Sequence, residues 1–397
     1  MTQLAERLSR ISEPETIKMA KLTRELKAKG IDIVDLSIGE PDFDTPPHIR
    51  EAAKKAIDEG FTHYTPVAGY ADLRQAVVHK LKRDNNLEYA PEQIIVSTGA
   101  KQSIANAVLS IVDPGDEVII PTPYWVTYSE LVKLCQGEVK FVPCSIENKY
   151  KITPDQLEAA ITPKTKLFMF SSPCNPTGAV YSKEELAALA EVFARHPQIF
   201  IIADEIYEYI NYVGKHESIA QFGDLKERTV LINGLSKGFA MTGWRLGYLA
   251  APTALAKAAD KIQSQFTSAT CSITQRAAIT ALTGDLSSAM AMVAAFKKRR
   301  AFIYGALSNI TGLKVIEPEG AFYMFPDVSA FFGKSFEGAT INNADDLCMY
   351  LLHKAHLSVV TGAAFQQRNC IRISYANSME KLEEGMKRMA QGLGQLQ

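Results

Sequence analysis

An α/β fold built on a mostly parallel sheet with helices on both faces is predicted by three observations. Between residues 93 and 252, short continuously apolar segments alternate with amphipathic ones. Turn residues separate the two kinds, and polar residues gather just after the apolar segments. Strands without in/out alternation are buried on both faces, the situation of a parallel sheet under helices. In such sheets ligands bind beyond the carboxyl ends of the strands.

The elements follow in order. A helix is expected over about 16–29 and an extended segment over 31–43 (IDIVDLSIGEPDF). QIIVST (93–98) reads as a buried strand; KQSIANAVLSIV (101–112) is helical, with Ile104, Ala107, Val108 and Ile111 at i, i+3, i+4, i+7. DPGD (113–116) is a turn before the strand EVIIP (117–121); a helix over 124–136 precedes the strand EVKFVP (138–143). Thr153-Pro154 opens a helix with proline at its first position. The strand TKLFMFSS (165–172) runs into PCNPTG (173–178), and Ser182 with Glu185 forms a capping box before LAALAEVFARH. IFIIADE (199–205), TVLING (229–234) and LGYLAAP (246–252) complete the strands. A long helix over about 286–308 then introduces a second, smaller unit with strands in GAFYMFPDV (320–328) and NCIRISYA (369–376). The expected division is a large domain over 46–285 and a small discontinuous one formed by 1–45 and 286–397.

A chain of 397 residues buries about three quarters of its unfolded surface and needs no disulfide or metal to hold a core. Its 43 Lys plus Arg against 44 Asp plus Glu argue against nucleic acid or an acidic membrane as partner. The six cysteines have no CxxC spacing, and the first residues lack the apolar core of a signal peptide. A soluble cytoplasmic protein is expected. His63, His79, His196, His216, His353 and His356 show no ligand spacing, so no metal is assigned.

Chemistry concentrates at the predicted strand ends. Ser97-Thr98-Gly99-Ala100-Lys101 passes from strand to helix, where glycine and free N–H groups suit an anion, although a simple turn would look the same. Asp204 ends a very apolar strand, with Glu205 beside it and Tyr207 three residues on. A carboxylate there caps the next segment or faces a cationic partner. Lys237 lies in the Gly-rich GLSKGFAMTGWRLG with Ser236 and Arg245, a poor setting for a merely solvated lysine. A lysine of depressed pKa is the side chain that bonds to carbonyl groups. Cys174 reads as structural, and GAFYMF as a core strand near the site.

GLSKGFAMTGWRLG resembles the lysine motif of the class I aminotransferases, pyridoxal 5'-phosphate enzymes of the aspartate aminotransferase fold (fold type I). SSPCNPTGAVY (171–181), ADEIYEYINY (203–212), NCIRISYA, LSIGEPDFDTP (36–46) and HYTPVAGYADLR (63–74) are similar to the family's other blocks, in family order across about residues 36–376. The pattern is nearest the bacterial aspartate aminotransferase branch that includes prephenate aminotransferases.

The resemblance implies roles. Lys237 carries the cofactor covalently and shuttles the proton; Asp204 pairs with the pyridine N–H; Tyr207 and Asn175 bond its ring oxygen; Trp125 stacks on the ring. Arg245, Ser236, Gly99, Ala100 and Lys101 surround the phosphate, and Tyr64 reaches the phosphate of a neighbouring subunit, implying a homodimer. Arg372 and Gly39 receive the substrate α-carboxylate, and Lys101 and Thr16 its distal group. The implied activity is ping-pong transfer of an amino group between an amino acid, foremost L-aspartate, and 2-oxoglutarate. Alternatives on the same scaffold are aromatic, prephenate or alanine aminotransferases, or a C–S lyase. A non-enzymatic ligand sensor is opposed by the retained Lys237, Asp204, Tyr207 and Arg372.

Overall fold

The continuously apolar segments become one seven-stranded sheet in the computed structural model, which describes residues 4–12 and 15–397, Glu15 and Thr16 by their backbone alone. Strand β1 (Val34–Asp35) lies outside that sheet, whose strands are β2 (Ile94–Ser97), β3 (Glu117–Thr122), β4 (Glu138–Pro143), β5 (Thr165–Ser171), β6 (Phe200–Asp204), β7 (Thr229–Gly234) and β8 (Gly247–Ala250). Beyond them lie β9 (Tyr323–Met324), β10 (Ser335–Phe336), β11 (Ala339–Thr340), β12 (Leu357–Ser358), β13 (Val360–Thr361) and β14 (Ile371–Ser374).

The large sheet has the order β2-β8-β7-β6-β5-β3-β4. β3 to β7 pair in parallel, as expected of apolar strands joined by helices. β8 is the exception, antiparallel to both β7 and β2. A parallel return needs a crossover, usually helical, and the loop 235–246 holds only a short 3-10 turn, Thr242–Trp244. Both ends of that loop, which carry Lys237 and Arg245, therefore stay at the carboxyl edge of the parallel strands. The chain leaves β3 outward to β4 but leaves β5 inward to β6, which makes the β3/β5 boundary a topological switch point.

Local signals explain the covering helices. Ala100–Ile111 buries Ile104, Ala107, Val108 and Ile111. Before the helix Lys183–Arg195, the Glu185 N–H donates to Ser182 Oγ (3.2 Å) and the Ser182 N–H to Glu185 Oε2 (2.8 Å). Thr153 caps Pro154–Ala160 in the same manner. The helix expected over 124–136 spans only Thr127–Leu134, so Tyr124, Trp125 and Val126 remain in the loop after β3. No single helix among the described residues is long and apolar enough to cross a membrane.

The C-terminal third forms a small antiparallel sheet, β13-β14-β9, and the hairpin β10–β11. Regular strand in GAFYMFPDV is limited to β9 and in NCIRISYA to β14. The N-terminal segment joins this unit: β1 pairs in parallel with β12, and the Ser374 N–H donates to the Leu36 carbonyl (2.8 Å). Val34 and Leu36 share one apolar cluster with Phe296, Phe322, Leu357 and Ile373.

Replacing Ser182 with Ala removes one half of the capping box and is expected to destabilise the protein by about 1 kcal/mol, read as a lower denaturant midpoint at unchanged slope; Ser182→Asp should restore most of it.

Candidate active site

Five loops leaving the carboxyl ends of β2, β3, β5, β6 and β7 meet the segment after β1 and the strands β9 and β14 around one cavity of about 540 Å³. Its walls include Gly39, Ala100, Lys101, Trp125, Asn175, Asp204, Tyr207, Ser236, Lys237, Arg245 and Arg372, all singled out from sequence. Trp125 reaches the cavity because it stands before the helix Thr127–Leu134 rather than within it.

Asp204 is the last residue of β6 and is buried. Its Oδ2 accepts from the Tyr128 hydroxyl (2.7 Å) and its Oδ1 from the Ile206 N–H (3.2 Å). Burial dominates its titration and pushes the carboxyl up to about 6. Among the described residues no cation lies within ion-pair distance of it, so one edge of a desolvated carboxylate is left for an N–H donor.

Lys237 points into the same cavity and donates to the Gly39 carbonyl (2.6 Å). Burial pulls its pKa down to about 8, which brings the neutral, nucleophilic amine within reach of physiological pH. Arg372 is buried on β14. Its Nη1 donates to Asn175 Oδ1 (3.0 Å) and its Nη2 to the Ser37 carbonyl (2.7 Å), while Nε has no partner. Burial lowers its pKa, yet neither hydrogen-bond partner is charged.

At the other end Gly99 adopts a positive φ of 84° ahead of the helix Ala100–Ile111. A side chain at Gly99 would collide with the Arg245 guanidinium, and one at Gly247 with the Gly99–Ala100 backbone. Arg245, itself left-handed at φ 54°, is tied to the Thr242 carbonyl (2.9 Å) and has no carboxylate partner among the described residues. Free first-turn N–H groups beside an unpaired guanidinium make a seat for a phosphate. Lys101 lies 5.0 Å over the Trp125 ring, with its pKa lowered first by burial and then by Arg245. A flat, phosphate-bearing aldehyde with a ring N–H fits this set.

Two expected residues are not among these walls. Tyr64 is 99% exposed, in a groove with Thr62, His63 and Thr270 rather than in this cavity. The Thr16 side chain lies outside the described residues. Sequence reasoning missed Tyr128, which reads as one more apolar helix position, and Tyr323, which hides inside a core-like strand. Tyr323 is fully buried, lines the cavity, and bonds Tyr207 through their hydroxyls (2.8 Å). Cys174 is buried beside Asn175 with its thiol pushed up by burial, as suits a packing residue.

Behind Asp204, His216 sits 3.0 Å from Glu205, and ligand atoms of Glu205, Glu208 and His216 lie within 4.8 Å of one another. Linear spacing could not have shown this cluster. Burial opposes the His216 charge, but Glu205 outweighs it and raises the pKa. Buried Lys80 pairs with Glu208, so the cluster supplies its own positive charge.

A family model described as "Aminotransferase class I and II" matches residues 31–389. A curated protein of Nitrosomonas europaea named aspartate/prephenate aminotransferase is 46% identical over 98% of this chain and 99% of its own. The solved aspartate aminotransferase of Rhizobium meliloti superposes with a TM-score of 0.97 at 42% identity, covering 100% of both chains. That of Thermus thermophilus, solved with maleate, superposes at 0.92 with 39% identity over 99% of this chain and 100% of its own.

Because the Lys237 amine loses its proton near pH 8, its reaction with an aldehyde should quicken as pH rises through that value. Pyridoxal 5'-phosphate added to cofactor-free protein is expected to attach roughly tenfold faster at pH 9 than at pH 7, then plateau; an ordinary lysine would give about a hundredfold rise and no plateau. Borohydride reduction should leave the label on the peptide containing Lys237, and label on another lysine would refute the assignment.

Proposed function

We infer, since the chain belongs to the family of class I and II aminotransferases, that it exchanges the amino group of L-aspartate with the oxo group of 2-oxoglutarate in two half-reactions, giving oxaloacetate and L-glutamate. The carrying observation is that Arg372 and Lys101 line one cavity with Lys237, and among the described residues neither is paired with a carboxylate. Two unpaired cations around a reactive amine suit an amino acid with two carboxylates. Maleate, bound by the Thermus thermophilus neighbour, is also a dicarboxylate.

The cofactor is pyridoxal 5'-phosphate, which when bound supplies an electron sink for charge developing at the substrate α-carbon. Asp204, which has no ion-pair partner among the described residues, would accept from the ring N–H and so favour its protonated form. Asn175 already accepts from Arg372 through its oxygen, which leaves its NH₂ to donate, with the Tyr207 hydroxyl, to the ring oxygen. Trp125, in the cavity wall, would cover the ring face. Ser236, Arg245 and the Gly99–Lys101 backbone hold the phosphate. Arg372 binds the α-carboxylate against the Gly39 backbone, and Lys101, with Thr16, receives the distal carboxylate. The Lys237 amine, neutral near its lowered pKa, would take the substrate α-proton at Nζ and hold it for return within the site. A second reading extends the donor and acceptor range to prephenate, on the name of the Nitrosomonas europaea relative. Prephenate too carries two carboxylates.

A homodimer accounts for the exposure of Tyr64: its hydroxyl serves the phosphate of the partner subunit's site. A small domain of 1–45 with 286–397 beside a large one of 46–285 is supported by the β1–β12 pairing. Cytoplasmic residence suits six unpaired cysteines.

Mixing the enzyme with a panel of amino acids and following the visible band tests the donor directly. Lys101→Ala is expected to raise KM for aspartate and glutamate by about ten- to a hundredfold, the value of a hydrogen bond to a charged group. KM for alanine and phenylalanine should change little. Equal losses for all four would move Lys101 to the cofactor. Tyr64→Ala and Lys237→Ala subunits, each nearly inactive alone, should recover about a quarter of full activity when refolded together, since each hybrid dimer holds one intact site. No recovery would place Tyr64 outside the site.

A further inference from the structure

Tyr323 is a buried side chain of the cavity wall that the reading above does not use. Five contacts fix it. Its backbone pairs with Ser374 across β9 and β14, so it lies diagonal to Arg372 on the same strand pair. The Arg372 guanidinium stacks 4.6 Å from its ring centre. Phe322 flanks it at 4.8 Å, and the Tyr207 ring meets it edge-on at 6.0 Å. Its hydroxyl packs against Gly39 so closely that a side chain there would stand 2.8 Å away. The hydroxyl can therefore neither swing out to solvent nor rotate away from Tyr207.

Both phenols are fully buried and titrate above the usual tyrosine range, so both keep their protons. Two hydroxyls 2.8 Å apart share one hydrogen bond, which leaves one proton of the pair free for a third acceptor. If Tyr207 donates to Tyr323, the spare proton sits on Tyr323 and Tyr207 has none for the cavity. If Tyr323 donates to Tyr207, the spare proton is on Tyr207. An anionic oxygen beside Tyr207 selects the second arrangement, because the two bonds then run head to tail and polarise one another.

We propose that Tyr323 is a positioning residue for Tyr207: its hydroxyl donates to Tyr207 Oη and thereby commits the Tyr207 proton to the cofactor ring oxygen. The same ring carries the Arg372 guanidinium on its face, so one side chain holds the orientation of both the oxygen donor and the α-carboxylate clamp. The proposal rests on the placement of Tyr207 at the ring oxygen made above.

The test uses the cofactor-loaded protein without any amino acid substrate, so it is independent of donor preference. The readouts are the pH midpoint of the cofactor's visible band and the cofactor dissociation constant. Tyr207→Phe, which deletes the bond to the ring oxygen, is expected to raise the midpoint by about one unit or more. Tyr323→Phe keeps the ring under Arg372 and removes only the hydroxyl; it is expected to raise the midpoint by about half a unit and weaken cofactor binding severalfold. In the Tyr207→Phe background, Tyr323→Phe should add nothing further. An unmoved midpoint in Tyr207→Phe overturns the placement of Tyr207 and this inference with it. A normal midpoint in Tyr323→Phe, with Tyr207→Phe shifted, overturns this inference alone, as does a double variant whose shift is the sum of the two.

Discussion

The arrangement turns on one desolvated carboxylate. Asp204 sits at the end of β6 between strands buried on both faces, where an isolated charge is costly. The Tyr128 hydroxyl and the Ile206 N–H bond to it but carry no charge to neutralise it. Burial consequently holds its pKa near 6, a value at which a cationic N–H partner tips it to full ionisation. The strand direction then dictates the neighbourhood. Asp204 faces the cavity, while Glu205 lies buried behind it, where His216 pairs with it and Lys80 pairs with the neighbouring Glu208. Breaking such a pair leaves an uncompensated buried charge, which is why the cluster behind the site is as constrained as the site itself.

From that fixed point the cavity acquires polarity. Among the described residues its one buried carboxylate belongs to the sheet end, and the buried cations Lys237 and Arg372 hydrogen-bond neutral groups: Lys237 the Gly39 carbonyl, Arg372 Asn175 and the Ser37 carbonyl. Charged donors held by neutral acceptors gain more from an incoming carboxylate than donors already paired, because less is lost when the ligand arrives. Burial also decides between the two chemistries. It lowers the pKa of both, but Arg372 starts so high that it stays a permanent charge, whereas Lys237 falls to about 8 and can act as base or nucleophile.

How much of this was legible follows from what a linear pattern can encode. Apolar runs and helical spacing located the sheet strands and the Ala100–Ile111 helix to within a residue or two, since burial on both faces leaves a direct trace in composition. Lys237 and Asp204 stood out by their unusual local settings, whereas Asn175 and Arg372 stood out only through the blocks SSPCNPTGAVY and NCIRISYA that resemble the family's. The direction of β8 was not, since an apolar strand reads alike in either sense; the missing crossover in 235–246 was the available signal. The start of the helix after β3 was misplaced because Tyr124 and Trp125 continue the apolar periodicity while belonging to the loop. Tyr128 and Tyr323 stayed hidden because an aromatic ring satisfies the core pattern, and only the third dimension shows where its hydroxyl points.

Glycine positions carry a second layer of information that composition obscures. Gly99 and Gly247 stand against each other's strands where the helix Ala100–Ile111 opens on the cavity, and Gly39 stands against Tyr323 in the opposite wall. Each lets backbone approach a functional group within a distance that a Cβ would occupy. The two ends of the cavity are thus set by backbone proximity, which does not drift with side-chain rotamers, while the groups that titrate or change partners, Lys237, Asp204 and Tyr207, lie in the buried region lined by those walls. Rigid ends with titratable groups in the interior are what a site needs if it is to hold a cofactor through its phosphate and still move a proton beside it.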